Sequence, residues 1–356
     1  MRSLDLLRKL LLVIGLSLAK PAYAQLAPPV KIALDSALYL LQTHSLYAKQ
    51  VNWKAVKDSA YAKAGAAQTL DEAFPALRYA FAQLHDRHGL IASENQQYRY
   101  SLPGEDPGRR LSPGIKKEYL KGPRIVTSEL TQGVAYLKIP QMIGTKRIWM
   151  DGCAAALRDS LCKLLARHPQ GLIIDLRMNG GGNYAPMLTG LSPLLGDGVK
   201  AYCFDHNGKE DGRTVLLHGV VTDDQGVPQL AAPAYCQVPS SLPVAVLIGP
   251  ATGSSGEILA MILRDRPRTR LIGEQTSGYL SATTGYFFGK GGYVLMTTHH
   301  MAPASKQPNT LHYLVPDVPV LTQDNYENLP ADPTVQAAMQ WLPAPKTSKK
   351  LAVKNQ

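Results

Sequence analysis

The sequence predicts an α/β fold with a helical region on its N-terminal side. From Gly133 onwards, residues 134–139 and 171–176 have the length and apolar content of buried strands, and residues 151–167 between them have helical periodicity. Strands that alternate with helices are typical of an α/β core. Residues 30–92 repeat apolar positions at helical spacing, which indicates helices instead.

The centre of the predicted core is a strand followed by a turn and a helix. Residues 244–248 are a five-residue apolar run, and residues 258–263 repeat at helical spacing. Ser254 and Ser255 therefore lie where a strand ends and a helix begins, next to helical N–H groups that have no partner within the helix. The pattern from Ser254 to Glu257 also matches a capping box, so a purely structural role for Ser254 stays open.

Residues 1–24 have the pattern of a secretory signal. A basic start with Arg2 and Arg8 precedes an apolar run over residues 10–18, and an A-x-A site over residues 22–24 predicts Gln25 as the mature N-terminus. The apolar run is too short to span a bilayer, and no later run is long enough. We therefore expect a periplasmic or secreted protein with no integral membrane segment after signal removal.

The remaining chain divides into four predicted segments. They are a helical region over 25–93, an irregular connector over 94–131, an α/β core over 132–343, and a basic, disordered tail over 344–356. The connector is too short for an inserted peptide-binding domain of ordinary size. Further elements predicted in the core are a helix over 183–195, a hairpin over 286–296 and a helix over 332–342.

Charge and metal-ligand patterns limit the kinds of partner and ligand that the sequence predicts. The formal net charge is +11, and it becomes +8 without the predicted signal. This favours acidic partners, but an exported chain without clustered basic and aromatic residues is not expected to bind nucleic acid. His299 and His300 are adjacent, so on a strand they point to opposite faces. We predict no metal site and no cofactor.

The four cysteines allow several pairings. Cys153 and Cys162 lie on one predicted helix, and their nine-residue separation is too long for a disulfide. Cys203 and Cys236 flank a region rich in turn-forming residues and are predicted to pair. Cys153 and Cys162 are then expected to be free thiols.

Three glycines follow the strand at 171–176. Residues 180–185 fit G-x-G-x-x-A, and Asp197 follows at a plausible distance, which resembles a dinucleotide-binding fingerprint. The same glycines also suit a loop that points a backbone N–H at an oxyanion. A third alternative is a loop that only requires positive φ.

Five short segments occur in a fixed order along most of the predicted mature chain. They are Leu-His-Asp-Arg-His at 84–88, Gly-Leu-Ile-Ile-Asp-Leu-Arg-Met-Asn-Gly-Gly-Gly at 171–182, Thr-Gly-Ser-Ser-Gly-Glu-Ile-Leu-Ala at 252–260, Ile-Gly-Glu-Gln-Thr-Ser-Gly at 272–278 and Val-Pro-Asp-Val at 315–318. On these segments the sequence resembles the C-terminal processing and tricorn-type serine peptidases.

The resemblance implies a ClpP/crotonase-like core of ββα units and a set of site residues. Ser254 is implied as the nucleophile, backbone N–H groups of Gly180, Gly181 and Ser255 as oxyanion donors, and Glu257 and Glu274 as supporting motif residues.

The two branches of this family differ in the general base. The processing-peptidase branch has a lysine where this chain has Tyr279, whereas the tricorn-like branch has a histidine that falls on His88. Arg87 occupies the serine position next to that histidine, and residues 309–313 lack the glutamate of the tricorn-like branch. His85 and Lys290 are the competing candidates for the base.

We therefore predict an exported serine endopeptidase of the tricorn-like branch, with Ser254 as nucleophile and His88 as base. Its substrate is a peptide or protein, and the sequence does not define an oligomeric state. Two alternatives stay open, a non-catalytic peptide- or ligand-binding protein on the same fold and a nucleotide-binding oxidoreductase.

Overall fold

A computed structural model describes residues 25–102, 111–222, 228–231, 236–306, 311–321 and 323–343. The predicted signal at 1–24 and the predicted tail at 344–356 lie outside the described residues. The chain forms two compact units. Unit 1 holds the described residues up to Tyr100 together with Thr284–Met296, and unit 2 holds Ser101–Thr283 and the described residues from Thr297 onwards.

The described residues form helices and strands in the following order. The helices are α1 (Pro28–His44), α2 (Trp53–Ala64), α3 (Phe74–Ala82), α4 (Pro113–Tyr119), α5 (Arg147–Leu165), α6 (Tyr184–Gly190), α7 (Ser192–Leu195), α8 (Ser255–Arg264) and α9 (Pro333–Trp341). The strands are β1 (Leu90–Ala92), β2 (Gln97–Tyr98), β3 (Val126–Leu130), β4 (Val134–Lys138), β5 (Gly171–Asp175), β6 (Gly198–Phe204), β7 (Glu210–Leu217), β8 (Val220–Thr222), β9 (Val244–Ile248), β10 (Thr269–Gly273), β11 (Ser281–Phe288), β12 (Gly292–Pro303) and β13 (Val318–Pro319).

Unit 1 is built on α1, α2 and α3, as the apolar periodicity of this region predicted. Asn52 caps α2, because its side chain accepts a hydrogen bond from the N–H of Ala55. The buried faces of the three helices form one apolar core, to which β1 and the first half of β12 contribute. Within this unit β1 pairs antiparallel with β12, with Leu90 opposite Leu295.

The core of unit 2 is a six-stranded sheet in the order β13-β10-β9-β5-β4-β3. Its strands run parallel except β3, which is antiparallel to β4. In β5, Leu172 and Ile174 face a core that α5, α6 and α8 also line, whereas Ile173 faces a second core that α9 lines. Helices therefore cover both faces of the sheet, which is why its central strands are continuous apolar runs.

The predicted connector over 94–131 is more regular than the sequence indicated, since it contains β2, α4 and β3. Ser112 caps α4 by accepting a hydrogen bond from the N–H of Ile115. The apolar periodicity of such a short helix is too weak to detect, because Ile115 is its only buried apolar residue.

The predicted disulfide between Cys203 and Cys236 is wrong. Cys236 is bonded to Cys162, which lies near the end of α5, and Cys153 and Cys203 do not take part in a disulfide. Cys203 lies on β6 opposite Met301 of β12, so its position is set by sheet pairing. The sequence showed that Cys153 and Cys162 are too far apart on one helix, but it did not show which distant segment packs against Cys162.

Within the described part of the chain, no helix combines the length and the apolar character needed to cross a membrane.

Candidate active site

Ser254 occupies an unusual turn between β9 and α8. Its backbone has φ 51° and ψ −121°, a conformation that residues with a Cβ rarely adopt. Such a conformation costs about 1–3 kcal/mol and persists only when surrounding contacts impose it. Sequence reasoning placed Ser254 on this turn but did not predict the positive φ.

The glycine loop packs directly against this turn. A Cβ on Gly181 would lie 2.7 Å from the Cβ of Ser254 and 3.0 Å from the backbone N of Ser255, and φ of Gly181 is +106°. Only glycine allows this approach. Asn179 joins the two segments, because its side-chain oxygen accepts from the N–H of Gly181 and its carbonyl accepts from the N–H of Gly253.

The three predicted oxyanion donors differ in their present partners. The N–H of Gly181 already donates to Asn179 at 3.0 Å. Among the described residues, the N–H groups of Gly180 and Ser255 have no acceptor. The hydroxyl of Ser255 donates to the carbonyl of Gly182 at 2.7 Å, which fixes the start of α8 to the glycine loop.

Glu257 fixes the backbone around Ser254 through hydrogen bonds. Its fully buried carboxylate accepts hydrogen bonds from the N–H groups of Ser254, Gly278 and Tyr279 and from the hydroxyl of Thr276. Burial raises the pKa of the Glu257 carboxyl from its usual range to about 7, although these four donors lower it. This carboxylate therefore connects the serine turn to the residue at the family's lysine position, Tyr279.

Replacing Glu257 by glutamine is expected to destabilise the protein by about 1–3 kcal/mol, because an NH₂ group would face backbone N–H donors. The native carboxyl keeps its proton up to about pH 7, whereas an unfolded glutamate releases it near pH 4.5. The free energy of unfolding of the wild type therefore falls as the pH rises from about 4.5 to about 7, whereas that of Glu257→Gln does not change for this reason. Denaturant unfolding should show a larger difference between the two proteins at pH 4.5 than at pH 7.5.

A matched control is Glu129→Gln, which removes an exposed ion pair with Arg167. This change is expected to cost under about 1 kcal/mol with little pH dependence. A difference in unfolding free energy between wild type and Glu257→Gln that grows with pH would contradict the raised pKa of Glu257.

Glu274, the other supporting residue, follows β10. Its backbone N–H donates to the carbonyl of Ile248 at 3.1 Å, which ties the end of β10 to the end of β9. Sequence reasoning missed Asn179 and Thr276, although they lie inside the motif segments at 171–182 and 272–278, because each acts through a hydrogen bond to a distant segment.

His88 lies in unit 1, two residues before the start of β1. Its N–H and that of Gly89 both donate to a carboxylate oxygen of the fully buried Asp86. A Cβ on Gly89 would lie 2.5 Å from the carbonyl oxygen of Leu295, so only glycine fits after this histidine. Burial lowers the pKa of His88 to about 4, because it penalises the charged imidazolium more than the nearby Asp86 stabilises it.

The competing bases have different surroundings within the same unit. His85 is exposed, and its ring packs against that of Tyr100 with 5.0 Å between centroids. Lys290 is exposed in the turn between β11 and β12. His88 therefore differs from the exposed His85 and Lys290 in being partly buried, with a lowered pKa.

The features behind the nucleotide-binding alternative have other roles. The Asp197 carboxylate accepts hydrogen bonds from the N–H groups of His218 and Gly219, so it anchors the turn between β7 and β8. Gly181 and Gly182 have positive φ, as a loop that packs against another backbone requires. The described residues contain no group of three or more histidine, cysteine, aspartate or glutamate side chains that could hold a metal ion.

Comparisons with known proteins agree with this arrangement. Residues 133–320 match the model of peptidase family S41. The chain is 26% identical over 328 residues to the nisin-resistance protein of Lactococcus lactis subsp. lactis, a match that covers 89% of this chain and 88% of that protein.

Two solved structures share the fold. A lipoprotein from Streptococcus agalactiae has a TM-score of 0.66 and 17% identity, covering 89% of this chain and 97% of that one. The photosystem II D1 C-terminal processing protease has a TM-score of 0.58 and 15% identity, covering 87% of this chain and 97% of that one. The predicted α/β fold class is thereby confirmed.

The fold and the family match define a serine-type peptidase. The chain belongs to peptidase family S41, which confirms the resemblance to C-terminal processing peptidases carried by the five sequence segments.

Proposed function

We propose that the protein is an endopeptidase in which Ser254 attacks the carbonyl carbon of a peptide bond. The observation that carries this proposal is the positive φ of Ser254 at a turn between a strand and a helix. In other serine hydrolases a strained turn of this kind presents the nucleophile. The capping role also fits Ser254, but a cap does not require this backbone conformation.

The oxyanion of the tetrahedral intermediate is assigned to the N–H groups of Gly180 and Ser255. Both lack an acceptor among the described residues, and Ser255 begins α8, where the helix dipole favours negative charge. We assign Gly181 a packing role instead of the predicted role of oxyanion donor. Its own N–H is used by Asn179, and its missing side chain allows the loop to approach Ser254. One donor of this kind is typically worth about 3–4 kcal/mol of transition-state stabilisation.

His88 is proposed as the general base. It takes the hydroxyl proton of Ser254 during attack and returns it to the leaving amine. A pKa of about 4 keeps the imidazole neutral at pH 7, and a base must be unprotonated to act. The tricorn-like motif order supports the same residue, since the family's lysine position is Tyr279.

The test is hydrolysis of a quenched fluorescent peptide between pH 3 and pH 9. A base with a pKa of about 4 places the acidic limb of kcat/KM near that pH, well below the usual histidine value. His88→Ala should lower kcat/KM by roughly 10²- to 10⁴-fold, the range for a general base. A fluorophosphonate probe should label Ser254, which separates this proposal from a non-catalytic binding protein.

His85→Ala and Lys290→Ala are the matched controls, and both should retain hydrolysis close to that of the wild type. If only Lys290→Ala loses turnover and the acidic limb of kcat/KM lies at higher pH, His88 is not the general base.

We also propose that the protein is exported and that Gln25 is its mature N-terminus. The pattern over residues 1–24 and the disulfide between Cys162 and Cys236 support this, because structural disulfides persist in oxidising compartments. N-terminal sequencing of protein from the periplasm or medium should start at Gln25. Recovery of the uncleaved chain in the cytosol would refute export.

A further inference from the structure

A small cavity in unit 2 borders the glycine loop. Tyr119, Arg124, Lys138 and Gln141 contribute to its lining. A Cβ on Gly180 would lie 3.1 Å from the side-chain oxygen of Gln141 and 3.8 Å from the hydroxyl of Tyr119. Two side chains that line the cavity therefore lie next to Gly180, the residue to which we assign an oxyanion donor.

The charges around this cavity are unbalanced. Lys121, Arg124 and Lys138 all pair with the carboxylate of Glu118, so three positive charges surround one negative charge and the cluster keeps a net charge of +2. Burial would raise the pKa of Glu118, but the hydrogen bonds and charges of these partners outweigh it and hold the pKa below its usual range. Glu118 is therefore ionised at neutral pH, and the positive excess persists there.

Arg124 is the group that presents this excess to a ligand. Among the cluster residues that line the cavity, Glu118 and Lys138 are only 3% and 4% exposed, whereas Arg124 is 40% exposed. Lys121 is 38% exposed, but it does not line the cavity. A guanidinium has five N–H donors. Among the described residues Arg124 uses two, one to Glu118 at 2.7 Å and one to the carbonyl of Lys121 at 3.3 Å. Its unused donors suit a carboxylate, which a guanidinium binds with matched geometry.

The cavity lies within reach of a peptide bound at Ser254. Gly181 touches Ser254, and Gly180 is its neighbour in the chain. An extended peptide advances about 3.3 Å per residue, so we expect the cavity to take a side chain within a few residues of the scissile bond. The net charge of +8 that remains after removal of the proposed signal favours the approach of an acidic peptide.

From these contacts we propose that the cavity is a subsite that selects peptides with an aspartate or glutamate side chain near the scissile bond. This inference rests on the proposed function for the position of the scissile bond. Arg124 binds the side-chain carboxylate, Lys138 and Lys121 keep Glu118 neutralised, and Gln141 lies between the carboxylate and the oxyanion loop.

The test compares amidated peptide pairs that differ by glutamate or glutamine at each of three positions on either side of the cleaved bond. Amidation leaves the side chain as the carboxylate source. At one position, kcat/KM of the wild type should be at least about tenfold higher for glutamate, the ratio expected for one charge-assisted hydrogen bond. Arg124→Glu should abolish or reverse this preference, and Arg124→Gln, which adds no second carboxylate beside Glu118, should weaken it.

The control is Arg167→Glu, which makes the same charge change at an exposed ion pair with Glu129, just before the start of β5. It should retain the glutamate preference. Equal hydrolysis of both peptides by the wild type, or a preference unchanged in Arg124→Glu, overturns the subsite.

Binding of the same peptides to Ser254→Ala protein, measured by fluorescence anisotropy, separates the two proposals. Tighter binding of the glutamate peptide without hydrolysis by the wild type would support the subsite and refute the proposed function. Hydrolysis by the wild type, together with equal binding of the glutamate and glutamine peptides to Ser254→Ala, would support the proposed function and refute the subsite.

Discussion

Replacing Ser254 by alanine is expected to lower kcat/KM by at least about 10⁴-fold, because the attacking atom is lost. The stability cost should stay near 1 kcal/mol, the usual price of a lost helix cap. Steady-state hydrolysis together with thermal unfolding would measure both. A folded Ser254→Ala protein that retains wild-type hydrolysis would refute the nucleophile assignment.

The backbone conformation allows a sharper comparison at the same position. Ser254→Gly should be as inactive as Ser254→Ala, yet more stable than it by about 1 kcal/mol, because glycine adopts φ 51° without strain. Ser277→Ala is a suitable control, since that hydroxyl donates to the carbonyl of Pro250 on a neighbouring segment. It should lower kcat/KM by less than about tenfold, a loss comparable to one ordinary hydrogen bond. If Ser254→Gly is less stable than Ser254→Ala, the backbone at Ser254 is not strained.

Replacing Arg177 by methionine is expected to cost about 3–5 kcal/mol, because it leaves buried carboxylates without their counter-charge. The fully buried guanidinium pairs with Asp175, Asp324 and Asp332 and stacks on the ring of Tyr326. Denaturant unfolding measures the loss. Since Arg177 immediately precedes the loop that carries Gly180, hydrolysis should fall as well.

The pH dependence of this variant provides a second measurement. Burial raises the pKa of Asp324 even with Arg177 present, and without the guanidinium it should rise further. A carboxyl with a raised native pKa gains stability as the pH falls, so the deficit of Arg177→Met should be smaller at pH 5 than at pH 7. Arg264→Met, which removes an exposed partner of Asp317, should cost under about 1 kcal/mol. A deficit below that of Arg264→Met would show that the buried cluster contributes nothing.

Local periodicity was sufficient to predict the central elements. Residues 244–248 form β9 as predicted, and the predicted helix and hairpin over 258–263 and 286–296 fall within α8 and the β11–β12 pair. These features follow from neighbours in the chain. The predicted helix over 183–195 is divided into α6 and α7 by a break at Leu191.

Motif order also predicted the family and placed Ser254 against the glycine loop. Spacing alone could not assign the hydrogen bonds, so it treated Gly180 and Gly181 as equivalent donors. The structure distinguishes them through Asn179. It also shows that Glu257 accepts the predicted capping-box bond from Ser254 and three further hydrogen bonds from distant residues.

The sequence by itself determined the α/β class, the family and the serine on the turn, because each depends on residues close together in the chain. Only the tertiary structure decided the bond between Cys162 and Cys236, the positive φ of Ser254, and the charge clusters around Arg177 and Glu118. The two disulfide partners are 74 positions apart, Asp324 and Asp332 lie 147 and 155 positions from Arg177, and no local pattern records such separations. The physical reason is that burial and charge pairing depend on which distant segments pack together.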